Sequence, residues 1–272
     1  MLPASALDLD AYLERVGYDG SVQPTLDSLR GLHLAHATSI PFENLDIQLG
    51  RPIRLDLDSL QAKLVRGGRG GYCFEQNLLF SAVLEAVGFE LTRLAARVRL
   101  GRPAEVEPLP RTHMVLSVDV RGEPWLADVG FGGDGLLLPL PLDPGPPVEQ
   151  LGRTYRLAEE DGAVRVVQMR GPEEWIDLYA FSLEPQLPID YEVANWWTST
   201  HPSSGFVQNV TAQRVSPEGS LTLRNRQLIE AWTDGRTTTT DIPDDDELLR
   251  VLAKRFGLEL PPGTRFSSLS AT

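Results

Sequence analysis

The chain has 272 residues, 42% of them hydrophobic and 23% charged, which allows a substantial core and excludes a disordered polypeptide. A net charge of −13, with a pI of about 4.8, excludes a surface built to grip nucleic-acid phosphates, because that task needs clustered lysine and arginine. One cysteine excludes an internal disulfide, and there is neither a basic leader nor a run of roughly 18 apolar residues, so the expected setting is cytoplasmic, with no nucleic-acid or membrane partner.

The first third reads as helical. Asp8 or Asp10 can cap a short helix through Ala11, Leu13 and Val16 that stops at Gly17. Thr25 can cap a second, with Leu26, Leu29 and Leu32 on one stripe, and a third runs through Asp58, Leu60, Leu64 and Val65. It ends at the glycines of RGGRGGYCFEQN, Arg66 to Asn77, from which an almost wholly apolar helix continues from Cys73 to Val87 and ends at Gly88. From Phe89 the period changes to two. Leu94, Ala96, Val98 and Leu100 alternate with polar residues, as do Met114, Leu116, Val118 and Val120, and PWLADVGF follows a turn. Residues 137–150 read as an irregular crossing loop, residues 154–158, 163–169, 206–215 and 220–224 as short strands, and Asp244 to Phe256 as a last helix. Helices first, strands next and a mixed segment last favour α+β over a doubly wound sheet.

The only thiol follows Gly70-Gly71 and opens a helix. A lone cysteine is most often a small buried hydrophobe. Here, free amides and the helix dipole favour a thiolate and predict a pKa below the usual value of about 8.5, while the glycines leave room for a substrate to approach the sulfur. Such a nucleophile needs a histidine, and there are four. His33 and His36 lie about one turn apart on the second helix, where packing or solvent roles outweigh metal binding because no further ligands cluster with them. His201 lies in the loop THPSSGF. His113 begins the strand THMVLSVDV, and the next strand runs into Asp128.

A two-residue turn at Arg121-Gly122 sets Val120 opposite Glu123 and Val115 opposite Asp128. Asp128 then shares a sheet face with His113 on the diagonal, about 7–8 Å away between backbones, within reach of polar side chains. Its neighbours Trp125, Leu126, Val129 and Phe131 are poor company for an unpaired carboxylate. Cys73, His113 and Asp128 therefore form a candidate nucleophile, base and orienter, of the cysteine-protease and transglutaminase type. Peptide hydrolysis or transglutamination, and an inert thiol in a binding protein, stay open on this reading.

The motifs IPFENLDIQLGR, RGGRGGYCFEQN, THMVLSV, LADVGFGG and NWWTSTHPSSGF occur in the order found in the arylamine N-acetyltransferases, and the chain resembles that family over residues 40 to about 206. The resemblance implies an α+β fold with an N-terminal helical domain (1–88), a central β-barrel (89–190) and a C-terminal α/β lid (191–272) that covers Cys73. It implies transfer of an acetyl group from acetyl-CoA, a co-substrate, to arylamines, arylhydrazines or hydrazides, with no permanent cofactor, no metal and the oligomeric state left open. Carried over by motif, Cys73 takes the acyl group as a thioester in ping-pong kinetics, His113 shuttles protons and Asp128 orients it. Phe42, Val98 and Phe131 then line the acceptor pocket, as ordinary core residues also could. Trp197, Ser203 and Gly205 match positions near bound coenzyme A, although Gly205 stands where a serine is common and Gln76 where leucine or histidine is common. A related amide synthase, closing macrocyclic amides with the same triad, is the alternative closest in sequence.

Overall fold

The computed structural model describes residues 7–101 and 108–269; residues 1–6, where a leader would begin, lie outside them. The Asp8 carboxylate accepts the Ala11 N–H at 3.0 Å and starts α1 (Leu9–Val16), and Gly17, at φ +67°, ends it. Thr25 caps α2 (Leu26–Ser39) through the Ser28 N–H. A two-residue strand β1 (Phe42–Glu43) and a single turn α3 (Leu45–Gln48) follow. Asp56 caps α4 (Leu57–Leu60), which widens into a π-helical turn over Gln61–Arg66. Then comes α5 (Cys73–Val87), stopped by Gly88. Phe74, Leu79, Phe80, Val83 and Leu84 of α5 are buried, each contributing roughly 1.5–3 kcal/mol of apolar burial.

An eight-stranded antiparallel sheet occupies the middle of the chain. Its strands are β2 (Glu90–Val98), β3 (His113–Val120), β4 (Glu123–Ala127), β5 (Leu140–Pro141), β6 (Val148–Gln150), β7 (Arg153–Glu160), β8 (Val164–Arg170) and β9 (Trp175–Pro185). Their order is β5-β4-β3-β2-β9-β8-β7-β6, and β5 packs back against β7, so the sheet nearly closes into a barrel. Leu94, Ala96, Val115, Tyr155 and Leu178 fill its interior. Arg121 and Gly122 both take positive φ, the requirement of the expected two-residue turn, and Val120 does pair with Glu123.

The last third contains α6 (Pro188–Thr200), α7 (Gly205–Gln208), β10 (Thr211–Ser216), β11 (Gly219–Arg224), β12 (Gln227–Trp232), β13 (Thr237–Asp241) and α8 (Asp245–Val251), which widens over Leu252–Phe256. The four strands form a second sheet whose far edge is β1, bound to β10, so the segment before Cys73 belongs to the C-terminal sheet.

Several expectations change. The strand read over 206–215 begins at Thr211, because Ser204 caps the turn α7 by accepting the Phe206 N–H. The crossing loop 137–150 contributes β5 and β6, and β2 ends at Val98, before Leu100. The strands β9, β12 and β13 and the helix α6 have no counterpart in the sequence reading. In α6 the pattern is inverted: Tyr191, Asn195 and Thr198 face inward while Ile189, Val193 and Trp196 face out. All of β13 is exposed and carries four threonines, so burial leaves no alternation in it.

The glycines before Cys73 serve the backbone. The Gly71 N–H donates to Pro41 O at 3.3 Å and the Glu43 N–H to Gly71 O at 3.1 Å, a parallel bridge between the two segments. A Cβ on Gly70 would lie 2.0 Å from Pro41 O. These glycines let two chain segments meet, where the sequence reading had assigned them to substrate access. Behind them, Gln76 donates to Gly71 O at 3.0 Å and accepts from His36 Nε2 at 3.0 Å, while Tyr12 donates to His36 Nδ1 at 2.9 Å. His36 therefore packs in the core.

Gly70→Ala is expected to lower stability by about 2 kcal/mol or more, since carbonyl and Cβ cannot share that space, and urea unfolding reads the loss directly. Burial lowers the His36 pKa to about 3 from an ordinary 6.5, so between these values the unfolded chain holds a proton that the native state refuses. Stability tied to His36 is complete above 6.5 and declines as pH falls through that window. A His36→Gln variant should reduce the slope of unfolding free energy against pH near 5 by up to about 1.4 kcal/mol per pH unit, measured as urea midpoints from pH 7 to 4.5.

Candidate active site

Cys73 is the first residue of α5, and Thr112 immediately precedes β3. The Cys73 thiol donates to Thr112 O at 3.3 Å, which sets the sulfur beside the start of the strand that carries His113. The His113 Nε2 donates to Asp128 Oδ2 at 2.7 Å, leaving Nδ1 as the ring nitrogen not committed to the acid. Asp128 follows β4 at the place the hairpin register demands, since Leu116 pairs with Ala127 one step earlier. All three residues are buried: Cys73 is 3% exposed, His113 2% and Asp128 1%.

A carboxylate so enclosed must be fully hydrogen-bonded. Asp128 Oδ1 accepts from Asn77 Nδ2 at 2.9 Å and from the Gly130 N–H at 2.9 Å, while Oδ2 takes His113. Burial raises its pKa, but the His113 charge and the bonds from His113, Asn77 and Gly130 outweigh that, and the net position is below the ordinary carboxylate range. The backbone N–H of Asp128 donates to His33 Nε2 at 3.1 Å, and His33 Nδ1 donates to Leu137 O at 3.0 Å. Burial first, with these bonds opposing it, lowers His33 to about 4, so it stands neutral behind the acid. A Cβ on Gly130 would meet the Cys73 backbone and the Asn77 amide at 2.9 Å or less, so only glycine permits this contact.

The thiol departs from expectation. Burial, and then the charge of Asp128, push Cys73 up, and the N–H groups of Phe74 and Met114 directed at the sulfur offset this only in part. The helix start contributes as predicted but is outweighed. A thiolate at this depth would be reached at least cost if its proton passed to an imidazole in the same site. That transfer keeps the total charge of thiol, ring and carboxylate unchanged and needs no new net charge in a dry site.

The remaining predicted residues fall into two groups. The Phe131 ring lies 5.4 Å from the His113 ring, and Val98 pairs with Tyr179, whose ring is 4.9 Å from His113. Phe42 and Phe131 line a narrow cavity together with Gln76 and Asp128. These side chains gather around the acid and the imidazole. Trp197 and Ser203 sit at the end of α6 and in the turn after it, where the Trp197 ring stacks on His201 at 5.1 Å and His201 Nδ1 accepts the Ser203 N–H. Gly205 opens α7 and is exposed. Among the described residues no hydrogen bond or ring contact joins Trp197, Ser203 or Gly205 to Cys73, His113 or Asp128. The C-terminal segment does reach the residue before Cys73: Tyr72 donates to Asn195 of α6, and the Phe206 ring packs on both Tyr72 and Phe42.

Two features were missed in the sequence. Asn77 binds Asp128, Met114 O at 2.7 Å and the Val129 N–H at 3.1 Å, tying α5 to both strands. Its signal is position, because a polar residue four after Cys73 lies on the same helix face. The second is a buried charge cluster. Arg69 grips Glu43 at 2.7 Å, and Lys63 bridges Asp46 at 2.8 Å and Glu75 at 2.7 Å. Glu75 in turn accepts the Tyr72 N–H at 3.1 Å and so anchors the residue before Cys73. Among the described residues no group of three or more His, Cys, Asp and Glu is arranged to hold a metal, and no helix is long and apolar enough to cross a membrane.

Known proteins share this architecture and sequence. The sequence model of the N-acetyltransferase family matches residues 25–265. The chain is 44% identical over 260 residues to an arylamine N-acetyltransferase of Mycolicibacterium smegmatis, covering 94% of this chain and 93% of that one. It is 40% identical over 251 residues to a Salmonella typhimurium protein named arylamine N-acetyltransferase / N-hydroxyarylamine O-acetyltransferase, covering 92% and 88%. Among solved structures, the Mycobacterium marinum arylamine N-acetyltransferase in complex with CoA superposes with a TM-score of 0.88 at 38% identity, covering 92% and 93%. With nearly the whole length matched in sequence and in fold, the chain belongs to the arylamine N-acetyltransferase family, whose members are acyltransferases.

Proposed function

We propose that this enzyme moves an acetyl group from acetyl-CoA to the amino group of an arylamine, arylhydrazine or hydrazide, with Cys73 as the nucleophile in a ping-pong cycle. One observation carries the reading: a buried thiol held against Thr112, the residue before a histidine whose Nε2 is bound by a buried, fully hydrogen-bonded carboxylate. His113 Nδ1 takes the Cys73 proton as sulfur attacks the acetyl carbonyl. The carbon–sulfur bond to coenzyme A breaks and the leaving thiolate receives that proton. The amine nitrogen then attacks the thioester and His113 removes its proton. The bond to Cys73 breaks, and the proton returns to the sulfur. Asp128 holds the ring in the productive tautomer and stabilises its charged form. Free N–H groups in the first turn of α5 stabilise the oxyanion in both halves.

Phe42, Val98 and Phe131 are assigned to the aromatic acceptor, supported by the grouping of Phe131 and of Val98's partner Tyr179 around His113. Trp197, Ser203 and Gly205 are assigned to the donor by their match to the family motif, and acetyl-CoA as that donor is in keeping with the related M. marinum enzyme having been solved in complex with CoA. An amine of low basicity fits, because it is neutral near pH 7 and gives up its proton only after attack.

Incubation with acetyl-CoA and no acceptor is expected to add one acetyl mass, mapped to Cys73 by peptide mass spectrometry and absent from Cys73→Ser. An unchanged intact mass in the wild type would sink the assignment. In Asp128→Asn the ring loses the acceptor that fixes its tautomer. The rate of acetyl-enzyme formation should fall by about 10²–10⁴-fold in stopped-flow or quench experiments, with stability also reduced.

A further inference from the structure

The turn that follows Phe131 rests on one row of the C-terminal sheet. Phe42 of β1, Gln213 of β10 and Thr222 of β11 are cross-strand partners in that order, so their side chains stand on one face. A Cβ on Gly132 would lie 1.9 Å from Gln213 Oε1 and 3.5 Å from the Phe42 ring, and one on Gly133 would lie 3.2 Å from Thr222 Oγ1. The row therefore touches bare backbone at two successive glycines. The Gly135 N–H closes the turn on Gly132 O at 2.9 Å, and Gly133 is held from both sides. Its carbonyl accepts from Arg153 Nη1 of β7 at 2.9 Å, and its N–H donates to Gln213 Oε1 at 3.1 Å. A backbone N–H can only donate, which fixes the half-buried Gln213 amide with its oxygen toward the turn. Among the described residues this is the single hydrogen bond between residues 129–138 and the C-terminal sheet.

We infer that Gln213 is a positioning residue for the acceptor half of the reaction, setting the turn that carries Phe131 against Phe42. The inference rests on the assignment of those two rings to the acceptor. They come from separate parts of the chain, Phe42 from the edge of the C-terminal sheet and Phe131 from the loop after β4, and Gln213 lines the same narrow cavity as both. On the barrel side, the Phe131 ring already packs on His113 and Tyr179. Its placement relative to Phe42 depends on the contact with the sheet, and there Gln213 supplies the directional bond. Without that oxygen the Gly133 N–H loses its partner and space opens beneath Gly132, so the turn is free to shift. A displacement of about 1 Å in a substrate-positioning element costs up to about 10²-fold in rate. No hydrogen bond among the described residues joins Gln213 to Cys73, His113 or Asp128, so the effect falls on the wall of the site and spares the acceptance of the acetyl group.

In a ping-pong cycle, kcat/KM for each substrate reports its own half-reaction, which separates the two effects. Gln213→Met keeps the length of the side chain but offers no carbonyl oxygen to Gly133. Its kcat/KM for 4-methylaniline should fall about tenfold, while kcat/KM for acetyl-CoA and the acetyl mass gained at Cys73 stay within about twofold of wild type. Gln213→Glu restores an accepting oxygen and should bring the acceptor value back to within about threefold. A merely structural loss would lower both half-reactions together, in step with the amount of folded protein. Thermal melting reports whether Gln213→Met folds. If it does not, Gln213→Asn, one methylene too short to reach the turn, supplies the same comparison. Wild-type acceptor kinetics in a folded Gln213→Met or Gln213→Asn protein overturn the inference, as does an equal fall in both half-reactions. A wild type that takes no acetyl group from acetyl-CoA refutes the functional reading itself, and the inference falls with it.

Discussion

The carboxylate of Asp128 has been taken almost wholly out of water, and the site is arranged around making that tolerable. Two oxygens accept from a ring nitrogen, a side-chain amide and a backbone amide, which come from β3, from α5 and from the loop after β4. Removing one partner leaves a buried charge short of a bond, a loss of several kcal/mol, so the three segments are held in one relative placement. The same placement sets the sulfur at the end of α5 against Thr112. Electrostatic satisfaction of one acid thus fixes the geometry around Cys73.

A second network does similar work on the other side of Cys73. Lys63 and Arg69 pair with Glu43, Asp46 and Glu75, and Glu75 holds the amide of Tyr72. Buried ion pairs add little net stability when compared with apolar packing, but breaking one is costly, which makes them good at specifying position. Together with the backbone bridge between Gly71 and the Pro41–Glu43 segment, they bind the entrance of α5 to β1 and through it to the C-terminal sheet. Cys73 stands where helices, barrel and C-terminal sheet are tied together.

Much of this was readable in the sequence because it follows from local rules. The turn at Arg121-Gly122 fixed the register of β3 on β4, and the register put Asp128 within reach of His113. Helix caps at Asp8, Thr25 and Gly88 were legible for the same reason. What escaped depends on tertiary contact. Gly70 sits under a carbonyl 29 residues earlier in the chain, and nothing local distinguishes that need from room for a substrate. In α6, polar Asn195 and Thr198 are buried because Tyr72 and neighbouring carbonyls satisfy them, so the binary pattern points the wrong way. The thiol was misjudged because the dipole of a helix start is a local signal, whereas burial by Gly130 and the charge of Asp128 come from a loop distant in sequence.

The depth of the sulfur has a consequence for chemical durability. A thiol that is 3% exposed and shifted toward its protonated form presents little of the anion that peroxide attacks, so the resting protein is protected from oxidation to a sulfenic acid. With a single cysteine in the chain, no neighbour could rescue such a lesion by forming an internal disulfide. Durability here comes from concealment: the sulfur is kept by its depth, with no second thiol to repair it.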